Sequence, residues 1–236
     1  MKKGDLYLIP TTLGSYETIH KVIPEYNIMK IKQLTVFIVE NIRTARRFLK
    51  ACGHPISIDD MLFFEINKHS GFDEITKAIK ILESGKSVGV ISEAGTPAIA
   101  DPGSMVVQQA QLKKIKVIPL VGPNSIIIAL MASGFNGQQF CFNGYLPKEI
   151  SSLSHKLKQL EVNVLKNNVT QVFIETPFRN NKLLQSIIKN LNPSTQLCVA
   201  LDLTLPQEEI ICLPIRKWAK KTADLNKRPA VFLLGK

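Results

Sequence analysis

Short apolar runs of strand character alternate with amphipathic stretches of helical character along the whole chain. In the helical stretches the apolar residues recur every three or four positions, which places them on one face. The pattern predicts strands at 5–10, 34–40, 87–92, 116–121, 138–146, 170–176, 195–204 and 228–236. It predicts helices at 44–52, 73–85, 104–113, 125–134, 154–166 and 181–191. Alternation of this kind favours an α/β fold.

The middle of the chain gives the best domain boundary. The pattern changes between Pro119 and Pro123, so we predict an N-terminal α/β domain over 1–119 and a C-terminal α/β domain over 120–236. The segment "SIIIALMASG" that follows this boundary is apolar on nearly every side of a helix. A helix of that type is normally buried, and we expect this one to be buried too.

The net charge of the chain indicates which kind of partner it could bind. The formal net charge is +11. Lysines and arginines release counterions when they meet phosphates, so a polyanionic macromolecular partner is one interpretation of this charge. A solvated, lysine-rich surface without a macromolecular partner is the other.

The cysteines and the apolar runs bear on location. The four cysteines are far apart in sequence and form none of the close pairs that zinc sites use. Unpaired cysteines suit a reducing compartment. The longest apolar run, 126–132, is too short to span a membrane, and the apolar stretch of "MKKGDLYLIP" is too short for a signal peptide. We therefore expect a cytoplasmic protein with no bound metal and no membrane partner.

The stretch "VGVISEAGTPAIADPGS", residues 88–104, is the strongest candidate for a binding site. A buried strand ends in a loop of small residues in which Gly95 permits conformations closed to other residues. Pro97 and Pro102 stiffen that loop. Ligands of open α/β sheets gather beyond the carboxyl ends of the strands. Backbone N–H groups pointing inward from such a loop would suit a carboxylate.

An acid and a group of arginines follow another predicted strand. Glu40 ends the strand, and Arg43, Arg46 and Arg47 lie in the first part of the next helix. The acid could orient a hydroxyl while the arginines hold phosphates, or the group could be an ordinary ion pair on a solvated face.

Three further strand ends carry unusual residues. They are "IPTTLGS" at 9–15, "LVGPNS" at 120–125 and "FIETPFR" at 173–179. Each alone could be a plain turn. Familiar alternatives are absent, since the chain has no G-x-G-x-x-G fingerprint and no Walker loop.

The segment "ISEAGTPAIADPG" resembles the corresponding loop of the tetrapyrrole-methylase superfamily, the class III S-adenosylmethionine-dependent methyltransferases. The resemblance is greatest to the branch that methylates a cytidine ribose 2′-hydroxyl in small-subunit ribosomal RNA. Further matches follow in the same order along nearly the whole chain: "VENIRTARRFL", "PLVGPNSIIIAL", "FCFNGYLPKE", "FIETPFR" and "ALDLT". We expect a short variant, without the C-terminal extension of longer members.

The chain departs from that branch at several positions. Glu93 replaces the first Asp of the "SDAGTP" loop, and Asn41 replaces the acid that follows Glu40. Asp202 and Leu203 replace an Arg-Glu pair in "ALDLT", and the first loop has its proline one place early. These changes leave the methyl-donor segments largely intact.

The resemblance implies two α/β domains with S-adenosyl-L-methionine folded in the cleft between them, a homodimer, and RNA as the partner of the N-terminal side. The residues it implies for cofactor binding are Pro10, Ser92, Glu93, Ala94, Gly95, Thr96, Pro97, Ile99, Gly122, Pro123, Ser125, Glu175 and Ala230. Glu40 and Arg43 are the candidates for catalysis, and Arg46, Arg47, Lys148 and Arg179 for RNA binding.

Two other functions fit the same segments. One is methylation of a tetrapyrrole or another small anionic acceptor. The other is binding of the donor or of RNA without catalysis. The fold class does not choose among the three.

Overall fold

The computed structural model describes residues 2–66 and 71–236, and its backbone contacts divide the chain after Asn124. The first compact unit is Met1–Asn124 and the second is Ser125–Lys236. The predicted boundary lies five residues earlier, at 119/120. Each unit contains one five-stranded sheet, so the α/β class predicted from the alternating pattern is confirmed.

The first unit is built on a parallel sheet. Its strands are β1 (Leu6–Ile9), β2 (Val36–Val39), β3 (Leu62–Glu65), β4 (Val88–Ile91) and β5 (Val117–Pro119), in the order β3-β2-β4-β1-β5. Its helices are α1 (Ile19–Val22), α2 (Glu25–Ile31), α3 (Ile42–Ala51), α4 (Gly71–Glu83) and α5 (Gly103–Leu112).

Helices cover both faces of this sheet, which explains why its strands are continuously apolar. In β2, Phe37 and Val39 belong to the core that α1, α2 and α3 close. Val36 and Ile38 point the other way, into the core that α4 and α5 close. A strand that is buried on both faces cannot show the alternation of an exposed strand.

The second unit has a mixed sheet. Its strands are β6 (Phe140–Tyr145), β7 (Thr170–Ile174), β8 (Gln196–Leu201), β9 (Glu209–Pro214) and β10 (Ala230–Gly235), in the order β6-β7-β10-β8-β9. β6 and β7 are parallel, whereas β10 is antiparallel to both β7 and β8. Its helices are α6 (Ser125–Ser133), α7 (Ile150–Asn167), α8 (Asn180–Asn190) and α9 (Ile215–Trp218).

The core of the second unit lies where α7 and α8 cover this sheet. The rings of Phe173 in β7 and Phe232 in β10 stack at 5.8 Å between centroids. Trp218 is buried beside them and donates its indole N–H to the carbonyl of Leu197 at 2.9 Å.

Two predictions about elements were wrong. The helix α6 is not buried on all sides, because the side chain of Met131 is 76% exposed and that of Ile127 is 42% exposed. The strand predicted over 195–204 ends at Leu201, because Asp202 has a φ of 49° and cannot continue an extended strand. The short elements β3, β9, α1, α2 and α9 were not predicted.

Candidate functional site

Three of the loops singled out in the sequence meet at one edge of the parallel sheet. The strands β2, β4 and β1 are adjacent and parallel, so the segments that follow them emerge at the same edge. The contacts are direct. The N–H of Thr11 donates to the carbonyl of Gly95 at 2.9 Å, and the N–H of Glu93 donates to Oε1 of Glu40 at 3.1 Å.

The turn after β4, residues 92–102, is held from inside by hydrogen bonds to its own carbonyls. Gly95 has a φ of 74°, and its carbonyl accepts from the hydroxyl of Ser92 at 2.9 Å as well as from Thr11. A Cβ at Gly95 would lie 3.1 Å from a methyl group of Leu13 and 3.2 Å from the carbonyl oxygen of Pro123. Glycine is therefore required here both for conformation and for space.

Three consecutive backbone amides of this turn have no hydrogen-bond acceptor among the described residues. The N–H groups of Ala94, Gly95 and Thr96 donate to no atom within the ranges 2–66 and 71–236 that the structure describes. Ala94 is exposed, Thr96 is half-buried and Gly95 between them is buried. Successive unpaired amides around a residue of positive φ are an arrangement that can bind an anion such as a carboxylate.

Asp101 holds the second half of the turn. Its Oδ1 accepts from the N–H groups of Ala98 and Gly103, each at 2.8 Å. Burial raises the pKa of the Asp101 carboxyl, and these two N–H bonds lower it in part. The amide of Ala98 is thus used within the protein. The N–H of Ile99 donates to no atom among the described residues, so unpaired amides lie on both sides of Ala98.

Glu40 lies half-buried where β2 ends. Burial raises the pKa of the Glu40 carboxyl, the N–H of Glu93 lowers it in part, and the nearby carboxylates of Asp101 and Glu93 raise it further. The Glu93 carboxylate in turn accepts from the hydroxyl of Thr44 in α3. A carboxylate with a raised pKa is a stronger base than an ordinary glutamate.

The helix α3 presents its arginines in different environments. Asn41 caps the helix, since its side-chain oxygen accepts from the N–H groups of Arg43 and Thr44. Arg46 lies 3.8 Å from Asp59 and over the ring of Phe63. Arg43 and Arg47 are exposed, and neither has an ion pair among the described residues.

The segment after β5 packs against this edge as well. A Cβ at Gly122 would lie 2.2 Å from the Cγ of Pro10, so Gly122 lets two backbone segments approach each other. Asn124 donates its side-chain amide to the hydroxyl of Thr96 at 2.6 Å, which fastens this segment to the turn after β4.

The comparisons with known proteins agree with this geometry. No family model matches the chain. A curated protein of Buchnera aphidicola subsp. Acyrthosiphon pisum, the ribosomal RNA small subunit methyltransferase I, is 31% identical over 98% of this chain and 78% of its own length. The protein of the same name from Vibrio cholerae is 30% identical over 97% of this chain and 76% of its own.

The chain belongs to the ribosomal RNA small subunit methyltransferase I family. The resemblance found in its sequence is thereby confirmed.

Solved structures show how widely this family shares its fold. The methyltransferase CobJ aligns with a TM-score of 0.65 at 16% identity over 99% of this chain and 94% of that chain. Diphthine synthase aligns with a TM-score of 0.65 at 13% identity, over 97% of this chain and 88% of that chain. A third structure is uroporphyrin-III C-methyl transferase from Thermus thermophilus complexed with S-adenyl homocysteine. It aligns with a TM-score of 0.59 at 14% identity, over 99% of this chain and 98% of that chain. At these identities the alignments establish the tetrapyrrole-methylase fold alone.

The candidate residues of the second unit form a group of their own. Glu175 follows β7, is buried, and lies 3.2 Å from the Nε of Arg179. Arg179 and Lys148 line one groove between the beginnings of α7 and α8. Ser125 is the first residue of α6, and Ala230 is the buried first residue of β10.

The sequence reading missed the residues that hold the site together. Thr11, Thr44 and Asn124 each bond to the turn after β4 or to its acid. The hydroxyl of Tyr16 adds a bond to the carbonyl of Thr44 at 3.2 Å. Thr11 and Asn124 had a signal, because they lie within the strand-end loops "IPTTLGS" and "LVGPNS" that the pattern marks.

Within residues 2–66 and 71–236, no group of three or more His, Cys, Asp or Glu side chains is arranged to hold a metal ion. In the same ranges, no helix has the length and apolar character needed to cross a membrane.

Proposed function

We propose that this protein transfers a methyl group from S-adenosyl-L-methionine to small-subunit ribosomal RNA, at the ribose 2′-hydroxyl of a cytidine. The observation that carries the proposal is family membership across nearly the entire chain, at 31% identity to a protein named for methylation of that RNA. The sequence resemblance described above supplies the choice of cytidine and of the 2′-hydroxyl.

The turn after β4 fits the amino-acid end of the donor. The N–H groups of Ala94, Gly95 and Thr96 would bind the methionine carboxylate, because they are adjacent and otherwise unpaired among the described residues. When bound, the donor supplies an activated methyl carbon on a sulfonium. Holding such a reactant in the correct orientation can lower the activation free energy by roughly 7–11 kcal/mol.

Other residues at the same edge support this binding. Ser92, Pro97 and Ile99 shape the turn, and Glu93 anchors it to Glu40 and Thr44. Pro10, Gly122 and Pro123 bring the neighbouring loops against it. For the adenosine part we propose Gly122, Pro123, Ser125, Glu175 and Ala230, which the family resemblance implies for cofactor binding.

A ribose hydroxyl needs a group that accepts its proton. We assign this role to Glu40, whose Oε1 is bound to the Glu93 N–H and whose Oε2 has no hydrogen bond among the described residues. Its raised pKa makes it a stronger base than an ordinary glutamate. Arg43, exposed in the first turn of α3, would stabilise the developing oxyanion.

The RNA contacts are proposed for Arg46, Arg47, Lys148 and Arg179. Arg47 has no ion pair among the described residues, and Arg46 has only a long, exposed pair with Asp59 that costs little to break. The net charge of +11 favours a phosphate backbone as partner. We also propose a cytoplasmic homodimer, in keeping with the reduced cysteines and the family resemblance.

The test is to map the methylation of small-subunit ribosomal RNA in cells that lack the protein. Mass spectrometry of the digested RNA should show the loss of one 2′-O-methylcytidine, and its return when the gene is restored. Unchanged RNA methylation, together with activity on a tetrapyrrole, would assign the small-acceptor function instead.

Donor binding is measured separately by calorimetry with S-adenosylhomocysteine. The wild-type protein should bind it, and Gly95→Ala should not, because the new Cβ collides with Leu13 and the Pro123 carbonyl at a positive φ. Gly137→Ala is the matched control, since a Cβ there meets no atom within 4 Å. Donor binding without transfer to any RNA would indicate the non-catalytic alternative.

A further inference from the structure

A groove in the second unit lies apart from the turn after β4 in sequence and has its own chemistry. It has a volume of about 410 Å³ and is lined by the first turns of α7 and α8. A second hollow of about 570 Å³ shares Ile150, Gln185 and Ser186 with it and continues along the same two helices to Lys189. We call the two together the α7–α8 groove.

The lining of the α7–α8 groove combines three kinds of side chain. Cations are contributed by Lys148, Arg179, Lys182 and Lys189. Apolar groups are contributed by Ile150, Leu153 and Leu183, and an amide by Gln185, whose side chain has no hydrogen bond among the described residues. The other two amides of the lining are bonded within the protein, Asn181 to Asp224 and Leu225, and Asn190 to Ser154 and Ser186. Cations for phosphates, an amide for a base edge and an apolar floor for base faces are together what an RNA strand requires.

The acids at this groove are already satisfied. Glu175 is buried and accepts from the N–H of Thr176 while facing Arg179. Glu149 caps α7, accepting from the N–H groups of Ser151 and Ser152 at 2.8 and 2.7 Å. Four cations thus face two carboxylates that are engaged in local structure. The surplus positive charge is complementary to a phosphate backbone.

Exposed aromatic rings lie at the same end of the sheet. The strands β6 and β7 are parallel neighbours, and Tyr145 pairs with Ile174, so the residues after both strands emerge side by side. Tyr145, the last residue of β6, is 64% exposed, and Phe178, which directly precedes Arg179, is 72% exposed. Bases that are not stacked in a duplex bind to such rings.

We propose that the α7–α8 groove binds a single-stranded segment of the substrate RNA. Lys148, Arg179, Lys182 and Lys189 contact its phosphates, and the ring of Phe178 stacks on one of its bases. The side chain of Arg179 is oriented for this role, because its Nε lies against Glu175 and its terminal nitrogens have no partner among the described residues. A duplex would offer phosphates but no free base face to Phe178.

The proposal is tested by the binding of a short fluorescein-labelled oligocytidylate to the full-length protein, measured by anisotropy over a range of salt concentrations. Replacing Lys182 or Lys189 by Gln should reduce the slope of log K against log salt by about 0.7 each, the value for one single-strand phosphate contact. Lys166→Gln is the matched control, because Lys166 is exposed on α7 about 24 Å from its first residue.

The aromatic contact is tested in the same assay. Phe178→Ala should weaken binding about tenfold without changing the salt slope, because stacking is worth about 1–3 kcal/mol per base. Phe178→Tyr keeps the ring and should restore the affinity. Circular dichroism confirms that each variant is folded. If the lysine variants keep both the affinity and the slope of the wild type, the proposal is overturned.

This inference rests on the proposed function, and the two can fail separately. If small-subunit RNA methylation persists in cells carrying Lys182→Gln, Lys189→Gln and Phe178→Ala together, and these variants bind the oligocytidylate normally, only the groove is wrong. If no RNA methylation depends on the protein but the variants lose oligocytidylate binding, the groove stands and the methylation proposal falls.

Ultraviolet cross-linking should place the RNA on peptides from 145–153 and 175–190, and cross-links confined to other peptides would contradict the groove.

Discussion

Single residues at the candidate site are constrained by close approach more than by charge. Gly95 and Gly122 each occupy a place where a methyl group would meet a neighbouring backbone segment or ring. Thr11 and Asn124 add hydrogen bonds between loops that are distant in sequence, and Ser92 adds one within the turn after β4. The site is therefore most sensitive to the addition of small groups at its glycines.

Replacing Gly122 by Ala should lower both stability and donor binding. The new Cβ would lie 2.2 Å from Pro10, and relieving such a contact must move one of the two loops. Overpacking of this kind costs about 1–3 kcal/mol. Denaturant unfolding and calorimetry with S-adenosylhomocysteine measure the two effects, with Gly137→Ala as control. Wild-type values for both would show that the loop adjusts freely.

Replacing Glu40 by Gln should remove the acid limb of the pH–activity profile. Because burial raises the pKa of Glu40, wild-type kcat/KM should fall as the pH drops through a value above the ordinary 4.5 of a glutamate. The variant should be slower by about 10²–10⁴-fold and should not show that limb.

Donor affinity is measured together with the rate in this variant. It should stay close to the wild-type value, because the glutamine side-chain oxygen can still accept the hydrogen bond from the N–H of Glu93. Full turnover of Glu40→Gln would exclude Glu40 as the proton acceptor.

At the scale of elements, the apolar pattern predicted most of the longer strands and helices. β2 and β4 were visible because a strand buried on both faces is apolar throughout. β9 was missed, because it is an edge strand with a mixed burial pattern and no continuous apolar run. The loops of the site were located by their glycines and prolines. The contacts that Thr44 and Asn124 make with the turn after β4 were not predicted, because they depend on the order of the strands in the sheet.

The helix α7 offers a test of capping. Hydrogen bonds from the hydroxyl of Ser151 and the N–H groups of Ser152 and Ser151 lower the pKa of Glu149 to about 2. A carboxyl whose pKa is depressed by folding stabilises the protein fully above its ordinary pKa of 4.5, and loses that contribution as the pH falls toward 2.

Glu149→Gln should therefore unfold at lower temperature than the wild type at pH 7, and the difference should shrink as the pH falls below 4.5. Thermal unfolding followed by circular dichroism measures it. Glu17→Gln is the control, since the carboxylate of Glu17 accepts no hydrogen bond among the described residues. A difference that is independent of pH would mean that the charge of Glu149 does not contribute.

At the scale of the whole molecule, each compact unit carries its own sheet and its own core. The first has an apolar cluster on each face of its sheet, and the second has a cluster built on Phe173, Phe232 and Trp218. The alternation of elements was enough to predict two α/β units. The mixed direction of the strands in the second sheet could not be predicted, since it depends on pairing between segments far apart in the chain.

Each unit should fold when it is produced alone. Fragments of residues 1–124 and 125–236 have the size of ordinary domains, and their described apolar clusters are internal to each. We expect each fragment to unfold cooperatively in urea, as followed by circular dichroism. A gradual, non-cooperative transition in either fragment would show that it depends on the other.

The backbone of the turn after β4 holds Ala98 and Ala100 at φ values of 67° and 63°. A residue other than glycine costs roughly 1–2 kcal/mol in this region. A synthetic peptide with the sequence of residues 88–104 would relax to cheaper conformations and lose its three aligned amides. The donor affinity proposed for this turn therefore depends on the surrounding protein. A copy of residues 88–104 in an unrelated chain need not possess it.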